Sequence, residues 1–269
     1  MYLTNIRGDF MGSKGTVEIA VMDSSDNAVI SFGGNSVWKI YGELEGLNEI
    51  RPNIDYVPNM SSIGSKITKS SIGSRVVKFN IVYNSKKYYS KYRDILSKSL
   101  KPGIEVYKLR ITYINKTLDL KDCILTDMKL GSGNINDFLR ASFTFTALDP
   151  LFYDTETTQL FSDSNGSLSF TYRGSAPALP IIDLNVIGAE SKKVILSIND
   201  DIDIIYQPVF DIQATDIVYD FENYNFSPVG VVSFSTDYRK IMIPVGPVNI
   251  KADIPCSYSL KFKNRYFGV

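Results

Sequence analysis

Residues 143–154 read FTFTALDPLFYD, from Phe143 to Asp154. Just upstream and within it, Leu139, Ala141, Phe143, Phe145 and Ala147 alternate with Arg140, Ser142, Thr144 and Thr146. Successive strand side chains point to opposite faces, so this pattern predicts a strand with one buried and one polar face. Asp149-Pro150 then stops it. Proline has no amide proton for a sheet and restricts the residue before it. Phe152 and Tyr153 follow the stop as an aromatic anchor. The segment reads as the last strand of one domain, a rigid exit and the mouth of a second. Asp149, Pro150, Phe152 and Tyr153 are therefore the expected interdomain junction, with domains at 1–150 and 151–269.

Working back from that strand, the first half carries strand patterns and one helix. Thr16–Met22, Ala28–Phe32 and Val37–Tyr41 read as short strands with turn chemistry between them. Val76–Tyr83 alternates cleanly through Val77, Phe79, Ile81 and Tyr83. Residues 88–100 carry Tyr88, Tyr92, Ile95, Leu96 and Leu100 on one stripe at helical spacing, and Pro102-Gly103 closes the helix. Strands are expected again at Val106–Ile114, Thr117–Leu120 and Cys123–Leu130. Residues 51–75 differ in texture: RPNIDYVPNMSSIGSKITKSSIGSR is rich in serine and repeats SSIGSKI as SSIGSRV. Two readings stand, a flexible loop or an extended hairpin arm that needs a partner to be buried. A connection this long exceeds the usual ~4–6 residues and is usually functional or disordered. If it is an arm, Asn53, Tyr56, Ile63, Ile67 and Ile72 are its candidate contact residues.

Forward from the exit, the signals are all β. Leu168–Tyr172, Ile181–Ile187, Val194–Ile198, Ile202–Tyr206, Ile217–Phe221, Val231–Phe234, Lys240–Ile243 and Ser257–Lys263 are short strand patterns separated by turns. Such spacing without helical periodicity implies a sandwich or jelly roll. The expected fold is mainly β: two β-sandwich domains, the first with one helix at 88–100 and an arm at 51–75.

The composition narrows function mainly by exclusion. Lysine and arginine total 29 and so do aspartate and glutamate, in a chain of 269 residues. That balance gives no electrostatic case for nucleic-acid or anionic-membrane binding. The chain contains no histidine, which removes Ser-His-Asp and Cys-His catalysis and histidine metal ligation. Cys123 and Cys256 fall in different expected domains and read as buried free thiols. No run approaches the ~18 apolar residues of a membrane span, and the opening MYLTNIRGDF lacks the apolar core of a secretory signal. Neither a cofactor nor a metal is expected.

Candidate chemistry is weak beside the structural alternatives. Asp200, Asp201 and Asp203 cluster, but Ile202, Ile204 and Tyr206 alternate, so the carboxylates read as a solvated strand face rather than a hydrolase pair. DSNG at 163–166 starts like a calcium loop but has Gly174 where the bidentate glutamate belongs. GSGNIN at 131–136 lacks the third glycine of a phosphate loop and opens no helix. Tyr219, Tyr224 and Tyr238 are candidates for stacking on sugars, against core or rim packing as the commoner role of such residues. No catalytic residue is assigned and the chain is not expected to be an enzyme.

Three groups of motifs occur in order: RVVKFNIVY (75–83), YYSKYRDILSKSL (88–100) and PGIEVYKLRITYINKTLDL (102–120); then the exit FTFTALDPLFYD; then YRGSAPALPIIDL (172–184), IPVGPVNIK (243–251) and SYSLKFKNRYF (257–267). Within the first group Arg75, Arg93, Leu109, Ile111, Tyr113, Asn115 and Lys116 carry the pattern, with Ile114 inserted. This order resembles the distal tail protein (Dit) family of long-tailed phages and prophage particles infecting Gram-positive bacteria. The resemblance covers about residues 50 to 269 and departs at the first fifty residues and at Val245-Gly246-Pro247. It implies a tail-tip hub at the virion tail tip. Six copies would form a ring, each packing its hairpin arm on a neighbour. The second sandwich would be galectin-like and hold baseplate or receptor-binding parts. It implies as partners the tail tube protein, the tape measure protein and the tail-associated hub proteins. The competing reading is a carbohydrate-binding module contacting cell-wall glycans through the C-terminal sandwich.

Overall fold

Alternation of the kind seen at 139–147 recurs along most of the chain, and a computed structural model converts it into two mainly-β units. The structure describes residues 17–49, 52–58, 65–83, 89–114, 116–131, 139–185, 193–208, 217–223, 225–227, 230–235 and 241–269. Unit 1 is Met1–Tyr153 with Phe267–Val269, and unit 2 is Asp154–Tyr266. The boundary thus falls after Tyr153 rather than Pro150. The residues 267–269, expected in the second domain, belong to the first.

Unit 1 contains β1 (Val17–Met22), β2 (Ala28–Gly33), β3 (Lys39–Glu45), β4 (Pro52–Pro58), β5 (Ser65–Ile72), β6 (Arg75–Tyr83), α1 (Tyr89–Ser99), β7 (Val106–Tyr113), β8 (Lys116–Leu130), β9 (Leu139–Ala147) and β10 (Phe152–Asp154). Seven strands form one path, β2-β1-β7-β8-β9-β6-β3, and β10 joins β8. Phe32 of β2 packs against Phe79 of β6 and Phe143 of β9, at centroid distances of 5.3 and 5.1 Å. Strands distant along the path therefore face one another, and the sheet folds over a shared core. Phe79, Phe143 and Phe145 come from the inward faces of β6 and β9, whose register pairs Phe79 with Phe143 and Val77 with Phe145.

Helix α1 covers this core at Trp38. Its Leu96 and the Leu100 just past its end are fully buried, and Tyr92 meets Trp38 edge-on at 5.3 Å. Tyr92, Leu96 and Leu100 repeat every four residues and define the buried line. Ile95, expected on the same stripe, is exposed because it lies at the edge of that line. Tyr88 lies outside the described residues.

Strand β8 corrects another expectation. Thr117–Leu120 and Cys123–Leu130 are one strand, bent where Asp122 takes a left-handed φ of 51° and the ladder to β7 slips between Tyr107 and Leu109. Such a bulge bends a strand without ending it. Asp119 on this strand is buried and is gripped by Arg110 of β7 through two hydrogen bonds of 2.8 and 3.0 Å. Cys123, further along this strand, is also buried, and burial pushes its thiol up to about 12. It is a packed thiol rather than a thiolate nucleophile.

Unit 2 contains β11 (Thr158–Phe161), β12 (Ser167–Tyr172), β13 (Ile181–Asn185), β14 (Val194–Ile198), β15 (Ile202–Pro208), β16 (Ile217–Asp220), β17 (Asn225–Ser227), β18 (Gly230–Phe234), β19 (Gly246–Ala252) and β20 (Ser257–Phe262). Two five-stranded antiparallel sheets, β11-β20-β13-β16-β17 and β12-β19-β14-β15-β18, contribute to one core. Ile182, Leu184 and Leu260 come from the first sheet, and Leu196, Ile204 and Ile250 from the second. This is a β-sandwich. Ile243 lies in no strand and makes a single bridge to Ala178. No described helix is long and apolar enough to cross a membrane.

Candidate functional site

The chain leaves unit 1 after Tyr153 and re-enters it at Phe267. Asp149 organises the exit: its carboxylate accepts from the Leu151 amide at 3.1 Å and from the Tyr153 hydroxyl. The Tyr153 ring lies under the Lys121 ammonium at 4.2 Å, and Phe152 is fully buried. Asp149 and Pro150 are half-buried.

Arg75, the first residue of β6, sits at the centre of this region and is 3% exposed. Its Nε donates to the Pro150 carbonyl at 2.7 Å. One terminal nitrogen donates to the carbonyls of Gly46 and Leu47, the latter at 2.9 Å, and the other donates to the carbonyl of Phe267. The guanidinium also lies 4.6 Å from the Phe152 ring centroid. A planar fork with five N–H donors suits this task, since four carbonyls arriving from three chain segments need donors in fixed directions. Burial lowers the Arg75 pKa, while the charge of Glu49 raises it. The group stays a cation throughout the physiological range.

Gly46 makes the close approach. Its φ is +89°, and a Cβ there would lie 1.9 Å from the Val76 carbonyl oxygen. Only glycine lets the 46–47 backbone lie this close to β6 and present both carbonyls to Arg75. The returning segment is held in the same place. The Val269 amide donates to Asn48 Oδ1 at 3.1 Å, and a Cβ on Gly268 would come within 2.7 Å of that oxygen.

Unit 2 gathers its own ends by a separate device. The Asp154 amide donates to the Asn264 carbonyl at 2.9 Å, and the Asn264 side-chain amide donates to Asp154 Oδ2 at 2.7 Å. The Tyr266 hydroxyl donates to the same oxygen at 3.2 Å, and burial followed by the Asp154 charge pushes Tyr266 up to about 12.

The 51–75 segment is a β-hairpin over its described residues. Among the described residues β4 and β5 pair only with each other, from Pro52↔Ile72 to Pro58↔Ser65, with a bulge between Asp55 and Tyr56. Asn53 and Ile72 are exposed, Ile72 by 40%. Tyr56 and Ile67 are paired in the ladder, and Ile63 lies outside the described residues. A two-stranded ribbon is marginally stable in water without a surface to pack on.

Two other surfaces compete with these features. A shallow groove of about 390 Å³ lies on the outer face of β3, β6, β9 and β8, lined by Glu43, Glu45, Lys78, Asn80, Asp127 and Lys129. Its Lys78–Glu45 and Lys129–Asp127 pairs are both 3.2 Å long and solvent-exposed. That is the ordinary polar outer face of an antiparallel sheet, and exposed pairs of this kind contribute little. In unit 2, Tyr219 is 1% exposed and stacks on Phe221, so it is a core residue and is corrected as a sugar-contact candidate. Its alternation with Ile217 and Phe221 is the physical reason. Tyr224 and Tyr238 lie outside the described residues. Asp203 accepts from the Ser197 hydroxyl at 2.6 Å, Asp201 is exposed, and Asp163 caps a turn through the amides of Asn165 and Ser167.

No protein-family model matches the sequence, and no curated protein sequence does. The fold, by contrast, is shared with a solved structure. The Dit (gp 19.1) protein of phage SPP1, described as a paradigm of the hub adsorption apparatus in phages infecting Gram-positive bacteria, superposes with a TM-score of 0.63. The match covers 92% of this chain and 98% of that one, at 13% identity. A chain of the phage P2 baseplate in its activated, calcium-bound conformation covers 94% of this chain and 99% of its own at 11% identity, with a TM-score of 0.48. A score below 0.5 does not establish a common fold. This chain thus shares its mainly-β fold with SPP1 Dit.

Proposed function

We propose that the chain is a structural, non-catalytic subunit of a phage tail-tip hub, assembling with copies of itself into a ring of six. The observation that carries this reading is the likeness to SPP1 Dit, which runs nearly end to end on both chains. The β4–β5 hairpin supports it independently. Among the described residues the ribbon pairs with no other strand, and a ring built from heterologous contacts supplies each copy with a neighbour's surface. Asn53, Tyr56, Ile63, Ile67 and Ile72 are then its interface residues. Asp149, Pro150, Phe152 and Tyr153 form the exit toward unit 2. That unit would carry baseplate or receptor-binding components, while the ring joins the tail tube and tape measure protein. The place of action is the virion tail. The carbohydrate-module reading loses Tyr219 to the core, and no observation favours it over the hub.

Deleting Asn53–Ser74 tests the ring. The intact chain is expected at six times its 30.1 kDa mass in light scattering, and the deletion variant at the mass of one chain with its β-type circular dichroism retained. A deletion variant that still assembles into sixes refutes the assignment of the hairpin as the interface.

A further inference from the structure

We infer that Arg75 and Asn48 form a main-chain binding site whose ligand is the segment Phe267–Val269, and that filling this site sets the stability of unit 1. The argument is one of accounting for donors and acceptors. Arg75 is 3% exposed, so each of its three guanidinium nitrogens needs a protein acceptor, and Phe267 is the one given to the second terminal nitrogen. Three acceptors, Gly46, Leu47 and Pro150, come from residues that precede unit 2 in the sequence. The fourth, the Phe267 carbonyl, arrives from 192 positions downstream. Without it a buried cationic donor loses its partner, which costs more than an ordinary hydrogen bond returns. Recognition is by backbone: a carbonyl to Arg75, an amide to Asn48, and a glycine between them where a side chain would crowd Asn48 Oδ1. The chemical class of ligand is therefore a short peptide segment with a small central residue.

The consequence is an order of events. All of unit 2 separates Tyr153 from Phe267 in the sequence, so unit 1 reaches its full stability only once unit 2 has been synthesised. A chain interrupted within unit 2 keeps a weakened unit 1. This inference concerns folding and holds whatever unit 1 assembles with.

Trp38 is the chain's only tryptophan and is 4% exposed in unit 1, so its fluorescence reports the unfolding of that unit. Urea titrations compare the intact chain, a chain stopped after Tyr266, Arg75→Leu, and the two changes combined. Stopping the chain is expected to lower the unit 1 folding constant by at least about tenfold. The same truncation in the Arg75→Leu background is expected to change it by less than about threefold, since the partner is already gone. A synthetic peptide of residues 265–269 is expected to restore the Trp38 midpoint of the stopped chain at about 10 mM, near the effective concentration that a short tether provides. It should leave the stopped Arg75→Leu chain unmoved. If the stopped chain is insoluble, Gly268→Val at full length replaces it and is expected to lower the midpoint in the Arg75 background only. An unchanged midpoint on truncation, full additivity with Arg75→Leu, or no response to the peptide overturns the inference.

Discussion

Arg75→Leu is expected to lower the stability of unit 1 by about 3–5 kcal/mol, since it leaves several buried carbonyls without a donor at about 1–3 kcal/mol each. Leucine fills part of the volume but donates nothing, so the carbonyls of Gly46, Leu47, Pro150 and Phe267 lose their common partner at once. For a unit of this size that corresponds to a drop in melting temperature of roughly 10 °C or more. The change is checked by Trp38 fluorescence in thermal and urea unfolding. Arg75→Lys should recover only part of the loss: the charge remains, but a single ammonium cannot reach carbonyls from three segments in the directions a guanidinium can. A leucine variant within about 1 kcal/mol of the parent on that signal shows that the clamp contributes nothing beyond ordinary packing.

Gly46→Ala is expected to be comparably severe, although alanine adds only a methyl group. The added carbon would lie 1.9 Å from the Val76 carbonyl oxygen and 3.1 Å from Val77 Cα, both backbone atoms of β6. Neither can rotate away. The left-handed φ of +89° adds strain for any residue with a Cβ. The 46–47 turn must therefore move off β6, and two of the Arg75 hydrogen bonds go with it. A loss of about 3–5 kcal/mol follows from clash and lost bonds together. Gly103→Ala is the matching control: φ there is +71°, but no atom lies within 4 Å of the added carbon, so conformational strain of about 1–2 kcal/mol acts by itself. Equal effects at the two positions contradict the close-approach argument for Gly46.

The strands were legible wherever one face is buried and the other is wet. Val77, Phe79, Ile81 and Tyr83 alternate with half-exposed or exposed neighbours, and β6 follows almost residue for residue. Tyr219 was equally open to that rule, since it shares parity with Ile217 and Phe221, and the rule places it in the core. The helix was found from its apolar spacing, which still overreached at Ile95 because a stripe drawn by eye is wider than the face that makes contact. Asp122 hid the continuity of β8. An aspartate amid polar neighbours resembles a turn, and only the ladder reveals that the strand bends there and continues.

The clamp was not legible from local pattern. Arg75 opens a strand, where an arginine normally reads as a solvated end, and its acceptors are backbone carbonyls that leave no trace in residue type. Phe267 reaches it from the far end of the chain, a separation that no periodicity encodes. Two signals were available, Arg75 as part of the family pattern and Gly46 as a glycine in GELEGLNEI, but neither names the other. The hairpin is an intermediate case. Its length and polarity set it apart, and its two strands do pair, but its residue pattern does not identify a surface for it to pack on.

Negative-stain images of the purified full-length chain test the hub assignment at its root. The expected particle is a ring of six copies around an open channel. Monomers throughout, from nanomolar to near-millimolar concentration, contradict it.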